Sequence, residues 1–367
     1  MSKTVNGFKP LRFVTVSNSD FESTLKKRVG IYFKDNNISK YANVNMKVKT
    51  AFMLCLYFVP YILVLTEVIT STFGIITCWV ILGFGAAGIG MSVIHDANHG
   101  SYSKNKKVNY ILGRFLNVIG GYAPTWKVQH NVLHHTYTNI KNYDEDITPS
   151  INVLRFTPQE KHHYMHRFQH LYAWFFYSLM TVLWITTKDW TQLFRYKRHG
   201  LNLNDKFNYL LVELIISKLL YYTVMIVLPL LILDIPWWSV FLLLLLKHMI
   251  AGFTLSVIFL LAHIVPDCVF PEPVNLEIKN NWAIHQLETT SNFGPKSKIF
   301  HWLIGGLNYQ VEHHLFPDIC HVHYKKLSTI VKQTAKEFNV PYYCEKTFFS
   351  ALSAHISMLR KLGEQPV

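Results

Sequence analysis

The sequence predicts an all-α integral membrane protein: four transmembrane helices in two hairpins under a cytoplasmic helical cap. Three observations carry this reading. Four apolar runs each come near the ~20 residues needed to cross a bilayer's hydrocarbon core. Lysine and arginine crowd the segments on one side of those runs, and histidines gather in three groups near their ends. Composition agrees. Half of the 367 residues are hydrophobic, and 16% are charged against roughly 25% in a soluble domain.

Residues 1–47 are polar and basic, so they predict a cytoplasmic N-terminal segment and no cleavable signal peptide. The membrane domain runs over 48–345, with spans at about 51–69, 73–93, 209–233 and 237–262. About three residues join the first two spans and about three the last two, hence two hairpins. The stretch 171–187 (LYAWFFYSLMTVLWITT) is short, aromatic-rich and flanked by His170 and Lys188, which fits a helix lying in the membrane interface. The Pro-rich PDCVFPEP (266–273) marks a loop leaving the fourth span. Residues 323–340 have helical spacing suited to packing on the cap, and 346–367 read as a cytoplasmic C-terminal tail.

The basic residues fix an orientation. Ten fall in the first 50 residues, nine in 94–170, five in 188–208 and ten from 263 onward; the tight links around Ser71 and Asp234 have none. The positive-inside rule therefore puts both termini and the histidine groups in the cytoplasm. The net charge of +14 reads as a topology signal and a match to anionic lipid headgroups, not as a nucleic-acid surface. Five scattered cysteines without a CxxC pair argue against a disulfide framework, a structural zinc site or an iron–sulfur cluster.

Nineteen histidines are present. His95 and His99 (HDANH) directly follow the second span and share one helical face. His130, His134 and His135 lie in QHNVLHH, and His313 and His314 in LNYQVEHHLFP with Gln310 three residues ahead. Neutral imidazole binds iron, copper and zinc. Seven or more such ligands exceed what one tetrahedral zinc can use, whereas two octahedral irons could use most of them.

HDANH, QHNVLHH and QVEHH resemble the three histidine boxes, HxxxH, HxxxHH and QxxHH, of the membrane fatty-acid desaturases. LNYQVEHHLFP is similar to the third box of the front-end branch, which places a double bond between an existing one and the carboxyl end. The likeness runs from about 48 to about 345 and includes HHTYTNIKNYDEDI and LETTSNF. It implies a di-iron centre (Fe2+/Fe3+) with O2 as co-substrate, held by His95, His99, His130, His134, His135, His313 and His314. His263, in LLAHIVPD at the end of the fourth span, matches an isolated ligand outside the boxes. Gln310 stands where other branches have histidine; as a poorer ligand it binds iron weakly, through water or not at all.

Asp96, Asn139, Asp144 and Asp146 lie near the boxes and are candidates to fix ligand rings by accepting their N–H groups, Asp146 first among them. His162, His166 and His170 match no box and read as one face of a basic interfacial helix. His285, in WAIHQLETTSNF, reads as packing or substrate contact rather than a ligand. Lys247 and His248 fall inside the fourth span, where ionisable groups face protein or water; contact with a substrate headgroup is the alternative. The small residues GFGAAGIG (83–90) allow close helix packing or form an acyl-tunnel wall.

The implied reaction is O2-dependent desaturation of a long-chain fatty acyl group, as acyl-CoA or membrane lipid, at Δ6- or Δ5-type positions. A di-iron lipid hydroxylase or sphingolipid desaturase is the nearest alternative. A membrane metal transporter is a distant one, since transporters hold ligands at the bilayer midplane. The reaction needs two outside electrons, and the chain has neither an HPGG haem motif nor a dinucleotide-binding glycine fingerprint. A separate donor, ferredoxin or cytochrome b5, must therefore dock. A bacterial inner membrane is the expected location, or the endoplasmic reticulum in a eukaryote.

Overall fold

The computed structural model describes residues 8–15, 17–148, 152–201 and 206–364. In chain order its main helices are α1 (Phe21–Asp35), α2 (Val44–Leu65), α3 (Thr72–His99), α4 (Gln169–Ser178), α5 (Asp189–His199), α6 (Phe207–Ile232), α7 (Trp237–His263), α8 (Gln310–Leu315), α9 (Tyr324–Glu337) and α10 (Phe348–Glu364). Strands are minor. Arg12–Phe13 pairs in parallel with Glu277–Ile278, and Ser291–Phe293 with Tyr343–Glu345.

Among the described residues four helices, α2, α3, α6 and α7, are long and apolar enough to cross a membrane. They carry the all-α membrane architecture that the apolar runs predicted. Over their most apolar stretches α3 and α7 are each 56% buried, against 39% for α2 and 28% for α6, so α3 and α7 form the inner pair. Outward-facing Phe73 and Leu231, 82% and 76% exposed, lie where lipid would cover them. Asn43 caps α2 by accepting from the Met46 amide, and Ser71 caps α3 by accepting from that of Gly74.

The glycine run of α3 serves helix contact. A Cβ on Gly85 would sit 2.9 Å from the backbone of Leu56 and Tyr57 in α2, and one on Gly83 2.8 Å from the Lys247 carbonyl in α7. Both neighbours approach as backbone, so only glycine fits. α2 begins at Val44, earlier than its apolar run suggested, because Lys47 and Lys49 lie within its first turns. α3 continues past its apolar run to His99 through a π turn at Ile89–Ile94.

Between α3 and the second histidine group the chain turns among the spans. The short helix Phe115–Ile119 ends at Gly120, whose φ of 112° is left-handed. Its terminal carbonyls receive donors from three spans: Tyr57 Oη to Val118 O (3.3 Å), Lys247 Nζ to Ile119 O (3.3 Å) and Lys218 Nζ to Gly120 O (2.8 Å). Non-helical backbone is tolerated at this depth only when its polar groups are satisfied in this way. Lys218 also binds Asp189 at 2.6 Å, and Lys247 binds the Tyr221 hydroxyl at 3.0 Å. His248 pairs with Tyr221 and Thr181. The two ionisable groups of the fourth span thus face protein.

The stretch 171–187 is not one helix. α4 ends at Ser178, Met180–Leu183 makes one further turn, and a π turn at Trp184–Lys188 leads into α5. It packs on α7: Ser256 donates to Tyr177 O, and Thr181 to His248 O. His166 lies in a 3-10 turn, Tyr164–Phe168, with its ring between the His163 amide and the Asn152 carbonyl. His162 reaches the Gly363 carbonyl of α10. These two histidines pin the chain rather than line a helix face. α1 packs on α9, where Arg28 meets Glu337 at 2.5 Å and Thr334 at 3.0 Å.

Candidate metal centre

All three histidine groups and His263 converge at the ends of α3 and α7. His95 and His99 occupy the last turns of α3, just after its π turn, with ring centroids 4.8 Å apart. A second π turn, Val128–His134, carries His130 and His134, and His135 follows it directly. π turns of this kind recur at functional sites, where they re-aim side chains. α8 supplies His313 and His314, and α7 ends on His263.

The rings sort into two groups. His95, His99, His130 and His313 each offer a nitrogen within 4.8 Å of the others, and so do His134, His263 and His314. His135 lies between, its centroid 4.5 Å from both His313 and His314 and 4.8 Å from His99. The His130 Nε2 is 3.2 Å from the Nε2 of both His95 and His135. Adjacent donors on one octahedral ion stand about 3 Å apart when metal–nitrogen bonds are about 2.1 Å.

Hydrogen bonds fix the outer nitrogens of four rings, whose inner ones stay bare. The Nδ1 of His134 faces Asp144 at 3.0 Å, that of His263 the Thr289 carbonyl at 3.2 Å, that of His313 the Tyr324 hydroxyl at 3.1 Å, and that of His314 the Gln286 amide oxygen at 2.8 Å. The Nε2 atoms of His99, His134, His263, His313 and His314 are buried with no hydrogen-bond partner among the described residues. Buried polar atoms normally find partners, so a set of unpartnered, converging imidazole nitrogens fits metal ions. Burial and mutual repulsion hold His130, His135, His313 and His314 well below the usual imidazole range, in the neutral form that ligates. Burial opposes charge on His134 too, but Asp144 and Asp146 outweigh it and lift the group to about 9. The same two carboxylates favour a cation beside this ring.

The four polar neighbours proposed from sequence divide. Asp144 makes the hydrogen bond to His134, while Asp146 stands farther off, 3.5 Å from the His134 Nδ1 and 3.7 Å from that of His130. Asn139 donates to the carbonyls of His263 and Val269 and so braces backbone, not a ring. Asp96 turns away: it accepts from His321 Nδ1 at 2.8 Å and from Cys320 Sγ at 2.9 Å, with Lys49 on the far side of His321 at 2.6 Å. Gln310 is buried beside the site with neither amide atom hydrogen-bonded. His285 is buried against the Phe13 ring, 5.1 Å between centroids.

Sequence reasoning missed Tyr324, Gln286 and Thr289, which hold rings through ordinary polar groups that carry no motif of their own. Gln286 does sit beside the quoted His285. It also missed Trp126, stacked on His130 at 4.5 Å, and Phe259, 5.9 Å from His130 and 6.2 Å from His95. These two form an apolar wall on the first group of rings.

The sequence profile described as "Fatty acid desaturase" matches residues 71–346. The chain is 36% identical over 346 residues to the sn-1 linoleoyl-lipid 6-desaturase of Arthrospira platensis, covering 94% of this chain and 93% of that protein. It is 37% identical over 366 residues to the Acyl-lipid (8-3)-desaturase of Physcomitrium patens, covering 96% and 74%. To the Delta(5) fatty acid desaturase A of Dictyostelium discoideum it is 30% identical over 361 residues, covering 96% and 76%.

Proposed function

The chain belongs to the fatty acid desaturase family, and on that premise we propose that it desaturates a long-chain acyl group of a lipid or acyl-CoA at a Δ6- or Δ5-type position. It is an oxidoreductase of the front-end branch. The observation that supports this most is the convergence of eight histidines, five of which have an Nε2 with no hydrogen-bond partner among the described residues. We assign His95, His99, His130, His134, His135, His263, His313 and His314 as ligands of two irons. Gln310 joins them weakly, through water or not at all.

When bound, the irons supply activation of O2 and removal of hydrogen from unactivated methylenes. The balance is simple. The acyl chain gives up two hydrogens, a donor gives two electrons, solvent gives two protons, and O2 leaves as two waters. The protein's part is position and exclusion. Asp144, Thr289, Tyr324 and Gln286 hold the rings at their outer nitrogens, so the inner ones stay aimed without reorganisation. Trp126 and Phe259 offer an alkyl chain an apolar surface beside His130 and keep water from the reacting carbons. The side carrying the histidines faces the cytoplasm, by the distribution of basic residues.

The test is expression in a host of defined fatty acid content, with new double bonds located by mass spectrometry. A new bond between an existing one and the carboxyl end is expected. A hydroxylated product, or a bond only on the methyl side, would sink the reading.

A further inference from the structure

Resting on the desaturase reading, the question of where electrons enter has a geometric answer. Every histidine of the centre is nine-tenths or more buried except His99, whose Nε2 is nonetheless buried, so electrons must cross a protein layer. In one direction that layer contains Tyr324, buried but followed in the chain by exposed Lys325 and Lys326, and Trp282. Tyr324, the first residue of α9, bonds His313 Nδ1 through its hydroxyl at 3.1 Å, and half-buried Trp282 donates its indole N–H to the His135 carbonyl at 3.2 Å. Both belong to the apolar cluster that joins α1, the Trp282–Glu288 helix, α8 and α9.

The outer surface of that cluster is basic. α1 and α9 together carry eight lysines and arginines against three acidic residues. Glu22 and Glu337 are taken up by Lys26 and Arg28. Among the described residues Lys27, Lys34, Lys325, Lys326, Lys332 and Lys336 make no ion pair and are exposed. The centre nears solvent elsewhere through Asp146, whose side chain is 30% exposed, but a carboxylate there repels an acidic protein.

We propose that the paired face of α1 and α9 docks an acidic one-electron carrier protein, and that Tyr324 and Trp282 relay its electrons to His313 and His135. Two carriers in succession are each oxidised by one electron. Together they supply the two electrons that O2 reduction requires beyond those of the acyl chain, while two protons come from solvent.

The test uses full-length, iron-loaded protein in detergent with an acyl substrate, and follows oxidation of a pre-reduced carrier by stopped flow. An acidic [2Fe–2S] ferredoxin and the soluble haem domain of cytochrome b5 serve as probes in turn. The double variant Lys325→Glu/Lys326→Glu should raise the half-saturating carrier concentration about tenfold at low salt, with the difference shrinking as salt screens the charges. Product formed with dithionite in place of a carrier should be unchanged in that variant. Trp282→Phe should lower the limiting rate of carrier oxidation and leave half-saturation alone. Arg198→Glu, at an exposed position of α5, should match the wild type in every assay.

The proposal is overturned if the lysine double variant takes electrons as the wild type does, if Arg198→Glu is impaired equally, or if neither carrier reduces the wild type. Failure of dithionite to drive any desaturation in the wild type would instead defeat the desaturase reading itself.

Discussion

At the scale of single residues, the hydrogen bond from His134 goes to Asp144, although the sequence favours its neighbour Asp146. Asp144→Ala should weaken iron binding by about 10–100-fold, the usual effect of losing a ligand's anchor. Asp146→Ala should do less, and metal titration of the two purified variants checks the order. His134→Ala should abolish both bound iron and activity while the protein still inserts. Near-normal activity there would count heavily against the ligand assignment. Gln310→His should retain iron; complete loss would mean that the amide's size or hydrogen bonding matters more than ligation. Asp144 and Asp146 were both legible as candidates, but two residues' difference along a loop decides which oxygen meets a ring, and no spacing rule encodes that.

Individual elements show why some boundaries were readable and others were not. The apolar runs of α6 and α7 stop where their helices stop, because flanking residues change polarity there. The apolar run does not mark the start of α2, because Lys47 and Lys49 break its hydropathy there; in the fold Lys49 is buried, bound to His321 and over the Trp302 ring at 5.4 Å. The π turns before His95 and through His130 add a residue per turn without any compositional mark, so the histidine boxes were visible and their backbone form was not. Two predictions belong to this scale. Lys218→Met leaves Asp189 buried without its cation, with the Thr125 hydroxyl still donating to it, and should cost about 3–5 kcal/mol. Thermal unfolding in detergent measures it, and adding Asp189→Asn should recover part. Gly85→Val drives a side chain into the backbone of α2 and should lower thermal stability without altering the residues of the metal centre.

For the whole molecule, the centre acts as a knot. Its rings come from α3, the Val128–Tyr137 segment, α7 and α8, separated by up to 219 residues of chain from His95 to His314. Any ion that binds the folded arrangement and not the unfolded chain stabilises it by mass action. Chelation should therefore lower the melting temperature of the purified protein, and Fe(II) should restore it; an unchanged melting temperature with iron demonstrably removed would contradict a centre shared among four segments. The same connectivity ties the cap to the inner spans, since α3 and α7 each end in a ring of the centre.

The sequence by itself determined the membrane architecture, the basic face and the identities of the clustered imidazoles. Hydropathy, charge and residue spacing are local quantities, and those features are written locally. Only the tertiary structure decided which rings share a group, that His135 stands between the two groups, and that Tyr324, Gln286 and Thr289 hold the outer nitrogens. It also decided that Lys247 and Lys218 satisfy carbonyls of a turn more than a hundred residues away in one case and nearly a hundred in the other. Those are meetings of distant segments, fixed by close packing to within fractions of an ångström, and a one-dimensional pattern carries no such distances.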